Sequence, residues 1–123
     1  MTLKNNLYRI ANKNTDDKSY RLELIPDCMI YRAHFPEQPI TPGVCIIQIA
    51  SELLTELYSL TFELSSVSNA KYLAVINPQE TPELSYTFKK VVFDDENTGI
   101  KVSVIVSNND TVFTKLSLVY KIK

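Results

Sequence analysis

The chain has one histidine, and it heads an unusual stretch: His34-Phe35-Pro36-Glu37-Gln38-Pro39-Ile40-Thr41-Pro42-Gly43-Val44. Proline fixes φ and removes an amide donor, so the prolines at 36, 39 and 42 stiffen this stretch and argue against regular structure from Cys28 to Pro42. An imidazole takes or gives a proton near neutral pH. An apolar segment with helical character follows at once, and the first amides of a helix have no partner inside it. Such amides suit an anionic or polarised oxygen. Gly43 has no side chain to keep a ligand from its own N–H. A base beside donors of this kind fits proton abstraction next to a carbonyl. The plainer alternative is a loop histidine satisfied by backbone carbonyls.

The elements that must position this stretch are short. Leu7 to Lys13 reads as a first strand. In Ser19 to Ile25, Tyr20, Leu22 and Leu24 fall on one face and Arg21 and Glu23 on the other, the alternation of a half-buried strand. Thr41 is a candidate N-cap with Pro42 at the first helical position. Residues 43 to about 61 hold no further proline or glycine after Gly43. Val44, Cys45, Ile46, Ile47, Ile49, Ala50, Leu53, Leu54, Leu57 and Leu60 predict a helix buried on most sides in its first half. Glu52, Glu56, Ser59 and Glu63 give it a wetter face later. Strands are expected at 66–76, 83–93, 100–107 and 111–122, with turns at Asn97-Thr98-Gly99 and Asn108-Asn109-Asp110. Two strands, a long helix and about four strands predict an α+β domain, an antiparallel sheet with its helix on one face.

Composition narrows the function. The 123 residues suit one domain, and a formal charge of -1 argues against nucleic-acid binding. No apolar run is long enough for a bilayer, and residues 1–6 lack a signal-peptide core, so a cytoplasmic setting is expected. Cys28 and Cys45 read as reduced thiols, Cys45 as core packing. One histidine and two cysteines make a zinc site improbable.

The pattern H-F-P-x-x-P-I-x-P-G-V, running into an apolar helix, resembles the motif of the 3-hydroxyacyl-acyl-carrier-protein dehydratases. The likeness is near-continuous from His34 to Ala50 and extends more weakly to Ala70-Lys71-Tyr72 and Pro78. It implies a hotdog fold over residues 1–123, an antiparallel sheet wrapped around one long central helix. It further implies dimers, sometimes trimers of dimers. Each site then lies at the dimer interface, with the histidine of one subunit facing an acidic residue on the other's helix. By this resemblance His34 removes the α-proton of a 3-hydroxyacyl thioester and the acid protonates the departing hydroxyl. The Gly43 N–H polarises the thioester carbonyl, and Phe35, Pro42 and Val44 also contact substrate. The substrate rides on acyl carrier protein or coenzyme A, the product is a trans-2-enoyl thioester of fatty-acid or polyene synthesis, and no metal or organic cofactor is used.

The chain departs from that family at telling places. The acidic position is Gln48, and an amide has no acidic proton to give. The family's usual glutamine, four residues later, is Glu52. Positions four apart share a helix face, so Glu52 is a candidate to act directly or through a water. Glu37 replaces a glycine, and Leu73-Ala74 replaces a basic pair, which bears on carrier docking. Lys89-Lys90 and Lys121-Lys123 are alternative docking charges or solvated strand residues. Two other readings follow: an impaired acyl-thioester-binding subunit, such as the non-catalytic half of a heterodimer, and a hotdog thioesterase.

Overall fold

The computed structural model describes residues 2–35 and 37–123. Six strands and two helices follow one another: β1 Tyr8–Asn14, β2 Ser19–Leu24, α1 Met29–Ala33, α2 Gly43–Tyr58, β3 Phe62–Tyr72, β4 Glu83–Phe93, β5 Gly99–Asn108 and β6 Thr111–Ile122. The strands form one antiparallel sheet in the order β1-β2-β4-β5-β6-β3. Between the neighbouring strands β2 and β4 the chain runs through α1, α2 and β3, and β3 lies at the far edge of the sheet beyond β6. The alternation seen in the sequence sets the register. Val102 faces Leu118 and Val104 faces Leu116 across β5 and β6, and all four are buried.

Helix α2 lies against that buried face. Cys45, Ile46, Ile49, Ala50, Leu53 and Leu54 recur at helical spacing and are all buried. Tyrosine hydroxyls fix the helix in place, each giving an apolar body to the core and a polar tip to a helix atom. The Tyr86 hydroxyl donates to the Ile46 carbonyl at 3.0 Å, and the Tyr120 hydroxyl lies 2.7 Å from Ser51 Oγ. Tyr31 meets Thr41 Oγ1 at 2.8 Å just before the helix. The Tyr20 hydroxyl is buried without a partner among the described residues.

The structure corrects several boundaries. Pro42, not Thr41, is the N-cap of α2, because the Thr41 side chain is buried against Tyr31 and its amide bonds to the Ile76 carbonyl. The helix stops at Tyr58 because Ser59 turns left-handed, φ 54°, and donates to the Thr55 carbonyl. Strand β3 therefore starts at Phe62, earlier than the sequence suggests. The region from Cys28 holds a one-turn helix, α1, which fits because the prolines at 36, 39 and 42 all follow it. The helix is also less enclosed than expected: Val44 is 76% exposed, and Ile47 and Gln48 are half-buried.

Two outcomes test this packing. Ile49 is fully buried at the centre of α2. Ile49→Ala is expected to cost about 2–5 kcal/mol in urea unfolding, and a loss below about 1 kcal/mol would contradict the packing. Burial pushes the Tyr31 and Tyr120 hydroxyls up to about 12. The unfolded chain ionises tyrosine near 10. The stability that these neutral hydroxyls contribute is therefore complete below about pH 10 and is lost as pH rises towards about 12. Denaturant midpoints measured across that range, with tyrosinate absorbance alongside, should fall in that window.

Candidate functional site

His34 closes the single turn of α1. Its amide donates to the Ile30 carbonyl at 3.0 Å, and its carbonyl accepts the Ile40 amide at 2.9 Å. Both ends of the following loop are thus tied, and the imidazole is left exposed. Among the described residues its ring neighbour is Phe35, edge-on with centroids 6.2 Å apart. Phe35 is itself 58% exposed. Pro36, part of the sequence motif, lies outside the described residues.

The loop delivers the chain to the open start of α2. Among the described residues no side chain caps that start, and its first turn holds no acidic residue. The amides of Cys45 and Ile46 turn back to the Pro42 carbonyl at 2.9 and 3.1 Å. Gly43 and Val44 hold the amides before them, with no partner among the described residues, at the positive end of the helix dipole. Tyr72, at the end of β3, lies across this point and donates its hydroxyl to the Gly43 carbonyl at 3.2 Å. A Cβ at position 43 would stand 2.8 Å from the Tyr72 ring, so the glycine is needed for the two to sit so close.

Along the outer face of α2 runs a groove of about 570 Å3. That volume falls in the range of small-molecule sites. Val44, Ile47, Phe62, Leu64 and Val67 give it apolar walls, and Gln48, Ser51 and Glu52 line it from the helix. His34 is not among the described residues that line it. Within one chain, then, Val44, Gln48 and Glu52 share a groove, Pro42 and Gly43 stand at the helix start, and His34 and Phe35 sit on the loop before it.

Glu52 is engaged on every side. Its Oε2 accepts the Leu3 amide at 2.8 Å and Gln48 Nε2 at 3.0 Å. Its Oε1 accepts the Lys4 amide and the Tyr8 hydroxyl, each at 2.9 Å. Burial, together with the Glu52 charge, pushes the Tyr8 hydroxyl far above its usual range. Sequence reasoning did not reach this cluster, although Leu3 and Leu7, four apart and both buried, hint that the first residues dock. It also missed Tyr72 over Gly43, which no spacing rule links across 29 positions.

Strand β3 is the sheet's outer strand on this side and has no buried residue. Leu64 and Val67 on it are 40% and 42% exposed. This edge strand, 11 residues long, has no neighbouring strand on its outer side among the described residues.

Among the described residues, no helix is long and apolar enough to cross a membrane. No curated protein matches the chain in sequence. Solved structures do match in fold. The dehydratase heterocomplex ApeI:P from Xenorhabdus doucetiae is 20% identical with a TM-score of 0.64, covering 84% of this chain and 85% of that one. A hypothetical thioesterase with coenzyme A from Streptococcus pneumoniae is 12% identical with a TM-score of 0.63, covering 94% and 85%. A putative thioesterase from Ralstonia eutropha is 9% identical with a TM-score of 0.64, covering 97% and 87%. Identities this low speak for the fold alone, and the fold is the hotdog, an α+β sheet around a central helix. The family model of the ApeI dehydratase, named ApeI-like, matches residues 11–113, and the chain belongs to that family.

Proposed function

We propose that the protein eliminates water from a 3-hydroxyacyl thioester, giving the trans-2-enoyl thioester, at a site shared by two copies of the chain. The observation that carries this reading is the exposed His34 ring on a loop anchored at both ends that leads straight into an uncapped helix start. A thioester carbonyl resting on the Gly43 amide becomes a better acceptor of charge, which acidifies its α-carbon. His34 then takes the α-proton, the electron pair forms the double bond, and the β-carbon–oxygen bond breaks. The proton held on the imidazolium goes to the departing hydroxyl, so water leaves and the base is restored. Phe35, Pro42 and Val44 border the path of the thioester, and no metal or organic cofactor takes part in these steps.

Gln48 stands where a family acid would donate a proton. In this reading it hydrogen-bonds the β-hydroxyl, and Glu52 holds its amide. The histidine reaches it from a second copy, paired through the free edge of β3, so that each groove is completed by the other chain's loop. The carrier is acyl carrier protein or coenzyme A, and the setting is cytoplasmic.

Two observations favour a second reading. An amide at position 48 suits a subunit that binds acyl thioesters without turning them over, and the Xenorhabdus relative is described as a heterocomplex. A third, thioester hydrolysis, draws on the fold shared with thioesterases.

Three assays separate these. Enoyl formation from 3-hydroxyacyl thioesters should fall by on the order of 10²–10⁴ in His34→Ala, followed by product absorbance. Acyl-thioester binding with no turnover at any chain length would favour the second reading, and free thiol release the third. The protein is expected to sediment as a dimer, and Val67→Lys, which puts a charge on the β3 edge, should shift it towards monomer. A wild-type chain that sediments as a monomer at working concentration would remove the shared site.

A further inference from the structure

The cluster around Glu52 does more than hold Gln48. Residues 2–4 form a strap lying outside the regular strands, joined to the start of β1 by an isolated bridge from Lys4 to Tyr8 and by the Tyr8 amide, which donates to the Leu3 carbonyl at 3.5 Å. The amides of Leu3 and Lys4 find their acceptor in the two Glu52 oxygens instead. A second tie runs from Lys4 Nζ to Glu56 Oε2 at 3.4 Å. Leu3 is buried in the core, while Thr2 and Lys4 line the groove beside Glu52 and Thr55. The strap turns back into β1 through Asn5, whose φ of 66° is the left-handed conformation asparagine tolerates, and the Leu7 amide closes the turn on the Leu3 carbonyl at 2.8 Å. At 1.5 Å per residue, Glu52 lies about 6 Å and Thr55 about 10 Å along the helix from Gln48. An acyl chain whose reacting end sits at Gln48, and which runs along α2 towards Thr55, meets the strap within that distance.

We propose that the strap is the wall that sets how long an acyl chain the groove accepts, with Thr2 and Lys4 as specificity-determining residues and Glu52 as the positioning residue that latches them. This rests on the acyl-thioester reading above. Severing the latch frees the strap and lengthens the accepted chain. Adding bulk at Thr2 shortens it.

The test measures equilibrium binding of 3-hydroxyacyl N-acetylcysteamine thioesters, from short to long chains, by calorimetry. Wild type, Thr2→Trp and Glu52→Gln are compared, with amide hydrogen exchange at Leu3 and Lys4 followed in parallel. Thr2→Trp should weaken the longest chains by about tenfold while leaving the shortest unchanged. Glu52→Gln should shift the preference towards longer chains and speed exchange of the two strap amides. Because Thr2→Trp leaves every latch bond in place, it stands as a test even if Glu52→Gln folds poorly. A Thr2→Trp length profile identical to wild type, or strap amides as protected in Glu52→Gln as before, overturns the wall. A wild-type chain that binds no acyl thioester of any length instead overturns the acyl-thioester reading, and the wall falls with it.

Discussion

A single sheet can cover only one side of a helix, and this constraint governs the rest of the molecule. The 16 residues of α2 carry apolar side chains on more of their circumference than the sheet can reach. Ile46, Ile49, Ala50, Leu53 and Leu54 spend theirs on the core. Val44 and Ile47 are left beside Gln48 in a groove that β3 borders but does not close. Burying apolar area is favourable at about 25 cal/mol per Å2, so the open side is apolar surface that this chain alone leaves in water. One helix thus serves both as core and as a wall of the groove.

Polar groups keep this double duty compatible with a fixed geometry. Tyr86, Tyr120, Tyr8 and Tyr72 each bring a hydroxyl to an atom of α2, at Ile46, Ser51, Glu52 and Gly43. They act at successive levels from the helix start to its middle. A helix held only by apolar contacts can slide or rotate with little penalty. Hydrogen bonds to particular carbonyl and carboxylate oxygens fix both its rotation and its height, and with them the positions of Gly43 and Gln48.

Much of this was legible in the residues. Strict alternation in β5 and β6 marked both strands and their inward faces, because a strand half in water must alternate. The proline-rich loop and the helix after it were equally plain, as was the family likeness from His34 to Ala50. What was not legible depended on distant pairs. The run Val44 to Ile47 predicts burial on most sides, yet which side the sheet covers is decided by the whole topology. Glu52 was read as a candidate to act at the site from its place four residues after Gln48, which puts the two on one helix face but does not say that Leu3, Lys4 and Tyr8 converge on its carboxylate. The helix end at Ser59 was missed because a left-handed serine leaves no mark of the kind glycine would.

The central claim is that His34 of one chain works on substrate held beside Gln48 of another. Complementation between two inactive variants measures this most directly. His34→Ala and Gln48→Leu are unfolded together, refolded as a mixture and assayed for enoyl formation. If the site is shared, mixed dimers carry one site with both residues intact, and random pairing returns about a quarter of wild-type activity. A mixture as inactive as its parents, while mixed dimers are present by mass spectrometry, would contradict the account.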